Sequence, residues 1–175
     1  MNQSITVTGM ILSATPIGEY DKRIVILTKE KGKISAFAKG ARRQNSPLMG
    51  VTNPFSFGEF QLYEGRSSYN VMQAHITNYF MEMSADLEGA YYGFYFMEIA
   101  DYYTKEYNDE KEMLKLLYQT MRALASGKIS QELVRYIYEL KVLVINGEAP
   151  EVFRCANCGV DDRTMVFSSL NHGLI

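Results

Sequence analysis

The sequence predicts an α+β architecture in which a five-stranded β-barrel occupies the front of the 175-residue chain and an antiparallel helical domain follows. Two observations carry this expectation. Through Thr77, apolar residues alternate with polar ones in short β-branched runs, the period of half-buried strands; after Asn78 they recur three and four apart, the period of an amphipathic helix. A third observation, the spacing of Cys155 and Cys158, marks the start of a metal-binding segment behind the helices. The expected domains are therefore 1–80, 81–150 and 151–175.

The first strand is expected over Ser4–Ser13, with Ile5, Val7 and Ile11 on one side and Thr6, Thr8, Met10 and Leu12 on the other. Thr15-Pro16-Ile17-Gly18 breaks it, and RIVILT at Arg23–Thr28 is the second. A short Gly-containing connection, Lys29-Glu30-Lys31-Gly32, makes Lys33–Lys39 the third strand of a meander. Gly40–Pro54 is too rich in Gly, Pro and Asn for a helix and longer than most connections, which points to a use. Phe55–Tyr63 and Tyr69–Thr77 supply strands four and five, joined by Glu64-Gly65-Arg66-Ser67-Ser68. Five short strands in roughly eighty residues, with the long connection after the third, match the count and spacing of an OB-fold barrel.

In the second region Glu88–Tyr107 is expected as a helix with Tyr92, Phe96, Ile99 and Tyr103 along one stripe. Asn108 or Asp109 caps a second, Glu110–Ala125, burying Met113, Leu116, Leu117, Met121 and Leu124 and ending at Ser126-Gly127. Ser130 caps a third, Gln131–Ile145, with Leu133, Ile137, Leu140 and Val144 as its apolar face. Short connections between them imply antiparallel packing.

The formal net charge of −2 hides an asymmetry. Residues 1–81 hold nine basic against five acidic side chains, and residues 82–175 hold nine against fifteen, so the halves carry +4 and −6. Such a split suggests different partners for the two regions. The positive half concentrates its charge in the stretch Lys31–Pro54, which opens with KGKISAFAKGARR and carries Lys31, Lys33, Lys39, Arg42 and Arg43 with no Asp or Glu. A barrel of this class takes nucleic acid by pairing a positive groove with exposed aromatic faces. The basic candidates are Lys22, Arg23, Lys33, Lys39, Arg42, Arg43 and Arg66; the aromatic ones are Tyr20, Phe37, Tyr63 and Tyr69. Strand aromatics also serve as core, and a solvated loop is the plain alternative for the charge cluster.

Cys155-Ala156-Asn157-Cys158-Gly159 is a knuckle whose two thiolates suit one tetrahedral zinc ion. A second pair at the usual spacing would begin at about residue 174 to 179, so this chain is expected to be truncated or to stop just short of it. His172 leaves the set one ligand short. Thioredoxin-like redox chemistry and inert thiols remain the rivals. No stretch of 18 or more apolar residues is present, and MNQSITVTGM lacks a basic segment leading an apolar one, which places the chain in the cytoplasm. There is no GxxxxGK[ST] and no HExxH, and neither His75 nor His172 has a recognisable nucleophile partner, so no enzyme is expected.

The sequence resembles the RecO family of bacterial recombination mediators. The resemblance rests on GEYDKRIVILTKEKGKISAFAKGARR at Gly18–Arg43, SPLMGVTNPFSFGEFQLY at Ser46–Tyr63, the helical region, and the CxxC ahead of Gly173–Ile175. It implies an OB domain, a helical domain and a structural zinc on a set including Cys155 and Cys158. It further implies binding of single- and double-stranded DNA, annealing of complementary strands, and engagement of RecR and of the acidic C-terminal tail of the single-stranded-DNA-binding protein. Such proteins help load recombinase at gaps and breaks without hydrolysing nucleotide, in the nucleoid-bearing cytoplasm. The sequence departs from the family by ending before a second Cys pair and a closing helical segment. The competing reading is a protein-interaction adaptor whose barrel is structural and whose helices carry the partners.

Overall fold

The computed structural model describes residues 4–65, 68–82, 86–161 and 164–175. Its front is a closed barrel of β1 (Ser4–Ile17), β2 (Asp21–Thr28), β3 (Gly32–Ala38), β4 (Phe57–Glu64) and β5 (Tyr69–Asn78) in the order β1-β2-β3-β5-β4. All pairings are antiparallel except β3 with β5, which closes the barrel through Ala36↔Tyr69 and Phe37↔Asn70. This is the OB-type arrangement expected from the strand count.

β1 runs beyond Ser13 and through Pro16, which sits opposite Lys22. The β4 partner ends at Met10, so Pro16 lies where β1 has one neighbour only, and there a missing N–H is tolerated. A bulge between Ile11 and Ser13 moves the inward set from Ile5, Val7 and Ile11 to Ala14. The interior is filled by Val7, Ile11, Ile24, Ile26, Ile34, Ala36, Phe60, Leu62 and Val71. Small residues permit the closure. Gly9 pairs with Gly58, and a Cβ on either would collide with the backbone of the next strand, at Leu27 and His75 respectively. Met10, Leu12 and Leu27 are also buried but take no part in that interior cluster, and helices pack on β1 and β2 from outside.

Helix α1 spans Leu87–Tyr103, α2 Lys111–Ser126 and α3 Gln131–Ile145. Asp86 caps α1, accepting from Glu88 N, and its other oxygen accepts from Gln131 Nε2 at 2.7 Å, tying the starts of α1 and α3 together. Both α1 and α2 pack on β1, and α2 on β2. Aromatic contacts join the layers, Phe55 to Phe94 at 4.8 Å and Phe57 to Tyr118 at 4.4 Å between ring centroids.

Three features of the helices differ from the sequence expectation. Helix α1 ends at Tyr103 instead of Tyr107, because the next residues pair with the β2–β3 turn: Lys33 N donates to Lys105 O and Tyr107 N to Lys31 O. Its buried line is Gly89, Gly93, Phe96, Met97 and Ala100, one position round from the aromatic stripe, since the small residues allow close approach. On α3 the buried residues are Val134, Tyr138 and Val142, while the expected face of Leu133, Ile137, Leu140 and Val144 is exposed. That helix is apolar on two faces, so period alone does not choose between them.

The described chain divides into two compact units, 1–135 and 136–175. In the second, β6 (Phe167–Ser168) and β7 (Gly173–Leu174) form a small hairpin, and Glu151 bonds its far strand through His172 O and Leu174 N. Among the described residues no helix is long and apolar enough to cross a membrane.

Candidate nucleic-acid interface

The basic cluster is assembled by two loops that meet at one end of the barrel. The β1–β2 turn, Gly18-Glu19-Tyr20, and Asp21 at the start of β2 are held to the segment after β3 by three bonds: Gly40 N to Asp21 Oδ1 at 2.7 Å, Arg42 N to Tyr20 O at 2.8 Å, and Arg42 Nη1 to Gly18 O at 3.2 Å. Arg43 lays its guanidinium over the Tyr20 ring, 4.9 Å from its centroid. The connection 40–56 contains no helix and is nevertheless pinned: Ala41 and Leu48 are buried in the barrel cluster, and Thr52 Oγ1 donates to Leu48 O at 2.7 Å. Its anchoring leaves the Lys39, Arg42 and Arg43 side chains exposed on a fixed backbone.

Lys22 joins them from β2. Its ammonium donates to Asn53 Oδ1 at 2.8 Å, and its pKa lies below the ordinary lysine value, first because it is partly buried and then because Arg42 is close. Lys22, Lys39, Arg42 and Arg43 thus share one surface with the exposed ring of Tyr20, a combination that can neutralise backbone phosphates and offer a face for one base.

The other candidates lie elsewhere. Arg23 is exposed on β2, its Nη2 3.2 Å from Ser35 Oγ of β3. Lys33 turns to α1, where it pairs with the Asp101 carboxylate at 3.0 Å and donates to the Asp101 carbonyl. Arg66 lies outside the described residues. Of the aromatic candidates, Tyr20 and Tyr63 are exposed and Phe37 is half-buried, but Tyr69 is 6% exposed with its ring in the barrel core, which removes it as a stacking platform. Asn53 escaped sequence reasoning; an Asn in a turn-rich loop carries no signal that it will hold a lysine thirty-one residues away.

Two family models match the chain, that for the recombination protein O N-terminal region over residues 1–80 and that for its C-terminal region over residues 84–175. The DNA repair protein RecO of Alkaliphilus metalliredigens is 34% identical over 172 residues, covering 98% of this chain and 70% of the relative. The chain belongs to the RecO family. Its RecO relatives include those of Desulforudis audaxviator, 35% identical over 86% of this chain and 60% of the relative, and of Bacillus subtilis, 28% identical over 95% and 65%. The chain spans about two thirds of the length of these RecO proteins.

The zinc expected of a RecO protein finds half of a donor set here. Cys155 and Cys158 form a knuckle closed by Gly159 N to Cys155 O and Cys155 N to Val160 O, both 2.8 Å. Backbone N–H groups of Cys158 and Asn157, then the Cys158 thiol, point at the Cys155 sulfur and lower its pKa below the ordinary thiol value. Among the described residues no three His, Cys, Asp or Glu side chains come together as ligands, and His172 is not grouped with the pair. The residues present therefore do not close a tetrahedral site by themselves.

Proposed function

We propose that this chain is the DNA-binding part of a recombination mediator that holds single- and double-stranded DNA by the backbone and anneals complementary strands. The observation that carries the reading is the meeting of Lys22, Lys39, Arg42 and Arg43 beside Tyr20 on a pinned loop. Phosphate neutralisation without base-edge contacts is what annealing requires, because two strands brought to one positive surface repel each other less and collide more often. No bond is made or broken, and the protein acts without enzymatic chemistry.

Recombinase loading with RecR and contact with the acidic tail of the single-stranded-DNA-binding protein belong to the same proposal. The proposed place for such a tail is a cavity of about 320 Å3 on the helical side, lined by Tyr91, Tyr92, Tyr95, Arg135 and Glu88. The Cys155–Cys158 pair serves as half of a structural zinc site, and the protein works in the cytoplasm where the chromosome lies.

Fluorescence anisotropy with a labelled single strand, together with annealing of two complementary labelled strands, tests the core of this reading. Saturable low-salt binding and protein-dependent annealing are expected. Undetectable binding at low salt favours the adaptor reading, in which the barrel is only a scaffold.

A further inference from the structure

The register of the barrel sets four outward side chains in one line across its surface. Arg23 of β2 stands opposite Phe37 of β3, Phe37 pairs with Asn70 of β5 where the barrel closes, and Asn70 stands opposite Tyr63 of β4. Their chain neighbours Ile24, Ala36, Ala38, Val71 and Leu62 fill the interior, so the two-residue alternation turns all four outward. At the usual strand spacing the line from Arg23 to Tyr63 is roughly 14 Å long, and the two rings stand roughly 10 Å apart with Asn70 between them.

Rings at the start of β4 are covered from the helical side, Phe57 by Tyr118 and Phe55 by Phe94. Those in the line are not. Among the described residues no ring meets Phe37, which is half-buried, and Tyr63 is 37% exposed. Arg23 is exposed, its guanidinium reaches only the Ser35 hydroxyl, and among the described residues no carboxylate pairs with it. The line contains no acidic side chain and adjoins the loop cluster: Lys22 precedes Arg23 on β2, and exposed Lys39 lies two residues beyond Phe37, just past the end of β3.

We propose that this line is the base platform of the interface: a single strand runs from the loop cluster across the outer barrel face, with a phosphate at Arg23 and bases stacked on the Phe37 and Tyr63 rings. The proposal rests on the nucleic-acid reading above and adds to it the feature that selects unpaired strands. Stacking on a side chain needs a free base face. In a duplex those faces lie against one another, so a duplex meets the basic loops through its phosphates alone. Affinity for any nucleic acid then resides in Lys39, Arg42 and Arg43, and preference for the single strand in Phe37 and Tyr63.

Anisotropy titrations of the whole chain with three labelled probes test this: a thymidine oligonucleotide, a duplex of the same length, and an abasic strand carrying the same phosphates. The parent is expected to hold the thymidine strand more tightly than the abasic one. The double variant Phe37→Leu/Tyr63→Leu removes both rings and keeps apolar cover on the barrel. It is expected to lose about 30-fold in affinity for the thymidine strand, the low end for two lost stacks, and to hold the duplex and the abasic strand as the parent does. Phe37→Tyr/Tyr63→Phe keeps both rings and is expected to bind all three probes as the parent does, and circular dichroism is expected to be the same for all three proteins. A Leu variant that keeps the parent's preference for the thymidine strand overturns the proposal, as does a loss shared equally by the three probes. A parent that binds none of them at low salt overturns the nucleic-acid reading itself, and the base platform with it.

Discussion

Replacing Arg42 and Arg43 together by Ala removes two exposed cations from the loop surface while leaving Ala41 and Leu48, which anchor it, in place. For single-stranded nucleic acid each neutralised phosphate contributes about 0.7 to the slope of log affinity against log salt. If both guanidiniums meet phosphates, the double variant loses about 1.4 from that slope, and at about 0.1 M salt affinity falls roughly 25-fold, or about 1.9 kcal/mol. The loop's own stability changes little, since the lost contacts are one bond to Gly18 O and the stack on Tyr20. Anisotropy titrations of a labelled oligonucleotide at four or more salt concentrations measure slope and affinity together. An unchanged slope would refute the assignment of these side chains to phosphates, and a fall in affinity with the slope intact would mean that the variant harmed the fold instead.

Three further outcomes follow from the geometry. Gly32 has φ 66°, and a Cβ there would stand 2.5 Å from Lys105 O, so Gly32→Ala is expected to cost about 1–3 kcal/mol in urea unfolding; a change below 0.5 kcal/mol, on the order of ordinary surface substitutions, contradicts the pairing of the residues after α1 with the β2–β3 turn. Asp101→Asn removes the charge of a partly exposed pair with Lys33 but keeps the bond from Lys33 to the Asp101 carbonyl, and is expected to cost no more than about 1 kcal/mol; a larger loss means that the pair is structural. The thiol pKa of Cys155 is lowered by N–H donors, so in the native state it binds fewer protons than in the unfolded chain between that lowered value and the ordinary 9.0. Its contribution to stability therefore grows as pH rises through that window, and alkylation by iodoacetamide should begin at lower pH for Cys155 than for a thiol in the urea-unfolded chain. Equal pH profiles in the two states refute it.

The barrel was legible because its inward positions obey a strict two-residue alternation, as in Ile24 and Ile26 or Phe60 and Leu62. Where a strand deviates, the cause is non-local. The bulge at Leu12 and the survival of β1 through Pro16 depend on where β4 stops, which no local pattern records. The early end of α1 depends on two hydrogen bonds, Lys33 N to Lys105 O and Tyr107 N to Lys31 O, with a turn more than seventy residues earlier in sequence. Helix α3 kept its predicted bounds and showed the other face, because Val134, Tyr138 and Val142 form a second face that can be buried beside that of Leu133, Ile137 and Leu140.

The site divides in the same way. Lys39, Arg42 and Arg43 stood out as charge without local acid, and the fold leaves them exposed. Lys33 belonged to the same run, but Asp101, sixty-eight residues on, engages it. Lys22 gains its place through Asn53, and Tyr69 loses its apparent role because β5 pairs with β3 and draws the ring inside. Charge density is readable along a chain; the partner that consumes a charge is set by topology.

The central claim is that nucleic acid lies against the two loops at the end of the barrel. Amide chemical shifts of the isotope-labelled chain, followed during titration with a short single strand, test it most directly. The account predicts that the largest shifts fall on Gly18–Arg23 and Lys39–Asn53, with α2 and the Cys155–Cys158 knuckle unmoved. Shifts confined to the helices, with those loops silent at saturation, would contradict it.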